Sequence, residues 1–163
     1  MNTVEVSTDV RVPPAEAYEF LADFPGYANY SAYLQSVHQR GDGGPGTTYE
    51  LTFAWWKLTH TIRSRVTDTD PPNRISWEVV GSLSAHGRWE VEETPEGSRV
   101  SLVVTYDAGS ARGVLNLPPL VSLDWVVERV VDLVVEEGER VVERVVADLE
   151  GERRSVDLTV ETR

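Results

Sequence analysis

Residues 20 to 34 read FLADFPGYANYSAYL. The stretch begins with apolar residues at helical spacing, and Pro25-Gly26 then breaks the helix. Tyr27, Tyr30 and Tyr33 follow three residues apart, which places them on one side of a second short helix that runs to the end of the stretch. We therefore predict two short helices, with the three tyrosines packed on a sheet or lining the mouth of a cavity.

A strand precedes this helical pair, and a β-rich region follows it. Residues 3 to 12 alternate valine with polar residues up to Pro13-Pro14, which predicts a first strand and then a helix up to Asp23. From residue 35 to 108 the apolar positions recur at period two, which is typical of an antiparallel sheet covered on one side. The apolar faces of its runs are Tyr49-Leu51-Phe53-Trp55, Leu58-His60-Ile62, Ile75-Trp77-Val79, Ala85-Gly87-Trp89-Val91 and Val100-Leu102-Val104-Tyr106.

The C-terminal region predicts a long helix over residues 120 to 150. Its apolar residues, mostly valine, recur three, four or seven positions apart. Valine is a mediocre helix former, so tertiary packing of this stripe must hold the helix. The tail, residues 151 to 163, alternates again and is an extra edge strand, an arm that pairs with another chain, or a frayed end.

The composition is acidic and uses arginine in place of lysine. The chain has 27 acidic and 15 basic residues, a net charge of −12, and Lys57 is its only lysine. This balance argues against binding of nucleic acid and against docking on an anionic membrane. It resembles the surfaces of proteins from salt-loving organisms, in which salt screens the self-repulsion; an ordinary acidic cytosolic protein is the alternative.

Several classes of site are excluded by what the chain lacks. It has no cysteine, and therefore no disulfide, thiolate nucleophile or cysteine-based zinc site. His38, His60 and His86 have no spacing that would bring two of them together on a metal, and no cofactor is implied. The N-terminus shows no signal peptide, and no run of 18 apolar residues occurs, so we expect a soluble, cytoplasmic protein without an integral membrane segment.

Two motifs and the long helix carry a family resemblance. Residues 17 to 37, AYEFLADFPGYANYSAYLQSV, are similar to coenzyme Q-binding proteins and polyketide cyclases, and residues 41 to 51, GDGGPGTTYEL, resemble the glycine-rich loop of the birch-pollen-allergen family. Over roughly residues 3 to 150 the chain thus resembles the START-like helix-grip superfamily (SRPBCC), which contains these families. The resemblance implies one α+β domain over residues 1 to 150, a curved antiparallel sheet of about seven strands wrapped around the C-terminal helix.

The resemblance also implies an apolar cavity between the sheet and the helix. Its members hold lipids, quinones, sterols or polyketides there, and a minority catalyse cyclisation or dehydration. We therefore expect binding of a hydrophobic small molecule such as a quinone, isoprenoid or lipid. From the apolar faces we expect the lining to be Phe53, Trp55, His60, Ile62, Trp77, Trp89, Leu102, Val104, Tyr106, Val127, Val130 and Val134, with Ala85 and Gly87 leaving room beside Trp89.

Two alternatives to simple binding stay open. In a polyketide cyclase or dehydratase using the same cavity, His60 or Tyr106 would move a proton, although His60 could equally be a core histidine bonded to a neighbouring Tyr or Ser. In a protein-interaction module, residues 155 to 161 would pair with another chain, with a homodimer through the C-terminal segment as the simplest case.

Two further local features receive structural interpretations. The glycine-rich loop is a hairpin connection and not a phosphate loop, because Gly46-Thr47-Thr48 opens a strand and lacks the lysine of a nucleotide loop. On the opposite parity to the apolar faces, Arg63, Arg65, His86 and Arg88 are predicted to face solvent.

Overall fold

The computed structural model of the chain describes residues 2–30, 34–55, 58–81, 84–107, 139–152, 154, 156 and 158–162, without the side chains of residues 55, 58 and 60. Residues 139 to 150 are helical and are called α2. The other elements are β1 (Asn2–Val10), α1 (Pro14–Ala22), a 3-10 helix (Phe24–Asn29), β2 (Leu34–Arg40), β3 (Thr48–Trp55), β4 (Leu58–Asp70), β5 (Arg74–Val80), β6 (Ala85–Thr94), β7 (Gly97–Tyr106) and β8 (Thr159–Thr162).

All eight strands form one curved antiparallel sheet in the order β2-β3-β4-β5-β6-β7-β1-β8. The α+β helix-grip prediction is confirmed, and the five apolar runs lie on the strands β3 to β7. Within the described residues the sheet has eight strands, one more than the roughly seven predicted, because β8 comes from the tail. It pairs with β1 of the same chain, Val6 opposite Val160, which is the first of the three alternatives for this segment.

The strand register gives the sheet two faces of different chemistry. Tyr49 lies opposite Ser64, and one row runs from Val66 through Trp77 and Gly87 to Val104. We call the face that carries these residues the inner face. Its members on β3 to β7 with described side chains are Tyr49, Leu51, Phe53, Ile62, Ser64, Val66, Thr69, Ile75, Trp77, Val79, Ala85, Gly87, Trp89, Val91, Glu93, Ser98, Val100, Leu102, Val104 and Tyr106.

The outer face is polar and carries several ion pairs. Arg63 donates to Glu50 at 2.9 Å, and Arg65 and Arg88 pair with Glu78 and Glu90. His86 and these three arginines are all exposed, which confirms their predicted orientation. Such exposed pairs contribute about 0–1 kcal/mol each, so the outer face supplies solubility and charge more than stability.

The two short helices differ from the prediction in length and type. Pro14 begins α1 because its fixed φ suits the first helical turn, and α1 ends at Ala22. The second element is a 3-10 helix that ends at Asn29, and its predicted extension to residue 34 is wrong. Leu34 instead starts β2 opposite Phe53 and is 6% exposed. Burial and strand pairing of Leu34 thus override the helical spacing of the segment.

The core lies between the inner face and the helices. On the inner face Tyr49, Val66, Ile75 and Val91 are at most 3% exposed. Leu21 and Phe24 cover them from the short helices, and Val146 of α2 is completely buried. The predicted helix over residues 120 to 150 is observed from residue 139; its residues 120 to 138, including Val127, Val130 and Val134, lie outside the described residues.

The tail continues this core. Gly151, at φ +78°, closes the last turn of α2 through its N–H, which donates to the carbonyl of Ala147 at 3.0 Å. Val156 is 5% exposed and belongs to the core. Arg154 donates to the carboxylate of Glu150 and to the carbonyl oxygen of Asp9. The tail therefore connects the end of α2 to β1.

Candidate functional site

An aromatic cluster fills the space between the short helices and the sheet. The rings of Phe24 and Tyr49 are 4.5 Å apart, and Tyr27 lies 5.2 Å from Phe24 and 6.2 Å from Trp89. The Tyr27 hydroxyl donates to the carbonyl oxygen of Leu21. The predicted lining residue Trp89 therefore packs with Tyr27 against the core.

Tyr30 joins the 3-10 helix region to α2. Its hydroxyl donates to Oδ2 of Asp148 at 2.7 Å, and Arg144 donates to the backbone carbonyl of Tyr30 at 2.9 Å. These contacts were not predicted from the sequence. The available signal was the basic Arg144 and the acidic Asp148, four residues apart on α2. Tyr33 lies outside the described residues, so the assignment of the three tyrosines to a cavity mouth stays a prediction.

Burial changes the titration of the two inner tyrosines. Burial raises the pKa of Tyr27 well above its ordinary value of 10.0, and the neighbouring Tyr49 and Asp23 raise it further. The pKa of Tyr49 is raised by burial first and then by the charges of Asp23 and Asp42. Both phenols therefore stay neutral hydrogen-bonding groups of the core at physiological pH.

Because of this shift, we expect alkaline pH to destabilise the protein partly through Tyr27. Above pH 10 the unfolded chain releases the Tyr27 proton and the folded chain keeps it, so the folded state binds more protons and stability falls as pH rises. One such group contributes at most about 1.4 kcal/mol per pH unit. Urea titrations between neutral pH and pH 11 should show a shallower alkaline decline in Tyr27→Phe than in the wild type; identical slopes would contradict the prediction.

A second region of the inner face is not covered in the same way. Phe53, Ile62, Trp77, Val79, Leu102, Val104 and Tyr106 are only half-buried and lie outside the buried core cluster. We call these seven residues the half-buried patch. Several of them are neighbours in the register: Trp77 shares a row with Val104 across Gly87, Val79 follows two residues after Trp77 on β5, and Tyr106 follows two residues after Val104 on β7.

Six of the predicted lining residues fall in this patch; its seventh member, Val79, was placed on the apolar face but not among the predicted lining residues. The predicted residues Trp55 and His60 lie on β3 and β4, and residue 60 is opposite Phe53 in the register, but their side chains are outside the described residues. Tyr106, the other catalytic candidate, is half-buried at the end of β7 opposite Asn2. No inner-face residue with a described side chain is a histidine or a carboxylate that could pair with it.

The space beside Gly87 is occupied. A Cβ at Gly87 would lie 2.5 Å from Cζ2 of Trp77 and 2.6 Å from the carbonyl oxygen of Val103. The Trp77 ring therefore takes the room that the small residues were expected to leave. Gly87 is needed so that Trp77 and the backbone of β7 can approach the strand this closely.

The glycine-rich loop is built as a hairpin connection whose amides are already used. The N–H of Gly43 donates to Oγ1 of Thr47 at 2.9 Å, that of Gly44 to Oδ1 of Asp42, and that of Gly46 to the carbonyl of Val66 at 2.8 Å. A phosphate cradle needs such N–H groups to point at the ligand. The geometry agrees with a hairpin.

The described part of the surface carries two open clefts away from the half-buried patch. One, of about 620 Å³, is lined by Asp70, Asn73, Arg74 and Glu90–Glu93. The other, of about 430 Å³, is lined by Thr8–Arg11, Thr94–Glu96 and Arg154. Both are polar grooves near strand turns. Within the described residues no helix is long and apolar enough to span a bilayer.

Comparison with known proteins shows which family model and which solved structures this chain resembles. The family model of polyketide cyclase / dehydrase and lipid transport proteins matches residues 1–150. The fold is similar to that of the protein TTHA0849 from Thermus thermophilus, at 18% identity and a TM-score of 0.71 over 91% of this chain and 97% of the other. No curated protein sequence matches the chain significantly.

Two further solved structures are similar in fold. The Zhui aromatase/cyclase from Streptomyces sp. R1128 is 20% identical, with a TM-score of 0.71 over 92% of this chain and 94% of the other. Ara h 8.0201 is 18% identical, with a TM-score of 0.64 over 93% of this chain and 99% of the other. At this level of identity the likeness concerns the fold.

Proposed function

The chain belongs to the polyketide cyclase / dehydrase and lipid transport family, and from this premise we propose that it binds a hydrophobic small molecule between the inner face and the C-terminal helix. A quinone, an isoprenoid or a lipid is the ligand class, and transport or sequestration is the role. The proposed contacts are the half-buried patch, the side chains of Trp55 and His60, and Val127, Val130 and Val134.

The half-buried patch is the observation that supports this proposal. Its residues are uncharged, lie on one face of the sheet and are still partly exposed, whereas Tyr49, Val66, Ile75 and Val91 of the same face belong to the buried core. A ligand that covered the patch would remove apolar surface from water, which is worth about 25 cal/mol per Å². Covering about 300 Å² would therefore contribute about 7.5 kcal/mol toward the entropic cost of association, which is about 4 kcal/mol or more.

A charge placed in the patch should abolish binding. We expect Val104→Glu to weaken binding of the neutral fluorophore N-phenyl-1-naphthylamine by at least about tenfold, because the carboxylate stays hydrated where the ligand must lie. Val80→Glu is the matched control: Val80 is 37% exposed, and there the same change should leave binding unaltered. Fluorescence titration measures the affinity, and circular dichroism verifies that each variant is folded.

Native mass spectrometry of protein purified from its own cells provides the independent test. We expect a bound mass that organic extraction removes and that is reduced in Val104→Glu. A spectrum without ligand, together with equal probe binding by Val104→Glu and the wild type, would contradict the proposal.

Catalysis in the same cavity is the second candidate, since the family description includes cyclases and dehydrases. His60 or Tyr106 would then transfer a proton at an enolisable carbon of a polyketide-like substrate. Binding ranks first because the described inner-face residues offer no acid–base pair. If His60→Ala and Tyr106→Phe turned over every accepted substrate like the wild type, this candidate would be lost.

Three finer points belong to the same proposal. A cytoplasmic location is proposed, and the net charge of −12 supports a salt-rich one, in which the Debye length falls to about 3 Å at 1 M. A homodimer through the outer edge of β8 is the alternative proposal, in which the chain would be an interaction module. Light scattering on the full chain distinguishes it from a monomer.

A further inference from the structure

We propose that the ligand is an uncharged molecule and that the site discriminates against anionic amphiphiles such as fatty acids. This inference rests on the proposed function, because it specifies the chemistry of the molecule that covers the half-buried patch. It follows from where the charges of the chain lie.

The described side chains of the inner face include no cation that could pair with an anionic ligand. Among its residues on β3 to β7 with described side chains the one that is charged is Glu93, an exposed carboxylate at the end of β6 opposite Ser98, which offers no counter-ion to an anion; the other polar groups are hydroxyls such as those of Ser64 and Tyr106. Neutral hydroxyls can bond a ligand carbonyl, ester or alcohol, and they do not compensate a buried ionic charge.

The cations of the described residues are on other surfaces. The outer-face arginines Arg63, Arg65 and Arg88 pair with glutamates, Arg99 pairs with Asp9, and Arg74 pairs with Asp68. On helix α2, the side chains of Arg140 and Arg144 are exposed to solvent. A carboxylate lying on the half-buried patch would therefore leave water without gaining a counter-ion from any of these side chains.

The remaining charges of the chain reinforce this bias. Asp107 is exposed directly after Tyr106, at the border of the patch. By sequence, residues 108 to 138 contain five acidic residues and two arginines. With a net charge of −12 the protein also repels an approaching anion at low salt. The uncharged interior and the long-range electrostatic field of the protein thus both disfavour an anionic ligand.

A set of ligands that share a twelve-carbon chain tests the inference. Dodecanol, methyl dodecanoate and dodecanoate are titrated against the full chain loaded with N-phenyl-1-naphthylamine, near neutral pH, in low and in molar salt. We expect the alcohol and the ester to displace the probe at concentrations at least about tenfold lower than dodecanoate. The difference should persist in molar salt, because screening removes the long-range repulsion and leaves the uncompensated charge in the site.

A cation placed at the border of the patch should reverse the preference. In Tyr106→Arg we expect dodecanoate to bind about tenfold more tightly than it binds the wild type, with no gain for dodecanol. Val80→Arg, with the same charge on an exposed position, should show no change. Phe53→Arg serves as the second position if Tyr106→Arg does not melt cooperatively.

The outcomes separate the two proposals. Dodecanoate binding as tightly as dodecanol, or a preference that vanishes in molar salt, overturns the inference while hydrophobic binding stands. Failure of the probe and of all three ligands to bind overturns the proposed function and the inference together.

Discussion

Deleting residues 152 to 163 is expected to lower the free energy of unfolding by at least about 3 kcal/mol, the largest effect that we expect from any change in this chain. The deletion removes Val156, which is 5% exposed and packs in the same core as Val10, Val12 and Val146. Burial of one such side chain contributes about 1.5–3 kcal/mol.

Loss of Arg154 adds an electrostatic cost. The Glu150 side chain is only 7% exposed, and its pKa is lowered first by the hydrogen bond from Arg154, then by the backbone N–H of Arg11 and the nearby positive charges, against an opposing effect of burial. Without Arg154 this carboxylate keeps the Arg11 N–H and loses its ionic partner. A buried charge without its partner is strongly destabilising.

Thermal melting measures the effect, and a shorter deletion separates its causes. For a domain of this size 3 kcal/mol corresponds to a fall in melting temperature of about 6–12 °C. Deletion of residues 158 to 163 removes β8 and retains Arg154 and Val156, so it should cost clearly less. A full deletion that melts within about 2 °C of the wild type would show that the tail is not part of the cooperative unit.

The main features of the fold were predictable because they depend on local periodicity. Strands β3 to β7 have period-two alternation over long runs, and Pro71-Pro72 and Pro95 mark two of the turns between them. The orientation of Arg63 and His86 followed from the same parity. Such patterns specify which face of a strand is buried without any knowledge of its partners.

The features that were not predictable depend on partners distant in the chain. The 3-10 helix ends before Leu34 because Leu34 pairs with Phe53, and β8 exists because β1 offers an edge for it. Parity placed Trp89 on the inner face correctly, but its packing against Tyr27 and the buried core is a tertiary contact that parity does not specify. The candidate site could thus be limited to a face by sequence, and its division into a packed and a half-buried part required the tertiary structure.

The contact between Gly87 and Trp77 illustrates the same limit and has a large predicted consequence. The small residue was expected to leave room beside Trp89, and parity placed Gly87 and Trp77 on one face. That the room is used by the indole of Trp77, in the next strand, depends on its side-chain rotamer, which no sequence pattern specifies. The sheet at this point is therefore close-packed, and the half-buried patch begins on the Trp77 ring.

Gly87→Ala is consequently expected to destabilise the protein by about 2–3 kcal/mol and to weaken probe binding as well. The new Cβ would lie 2.5 Å from Cζ2 of Trp77 and 2.6 Å from the Val103 carbonyl oxygen, so either the ring must move into the patch or the strands must separate.

Gly44→Ala is the matched control, because its nearest neighbour is the flexible Asp42 carboxylate at 3.3 Å, and it should be nearly neutral. The double variant Gly87→Ala/Trp77→Leu removes the ring and leaves the carbonyl contact. In a double-mutant cycle measured by urea unfolding, recovery of part of the loss assigns that part to the indole. An unchanged stability of Gly87→Ala would mean that Trp77 does not lie over Gly87, and the half-buried patch would then extend deeper into the sheet.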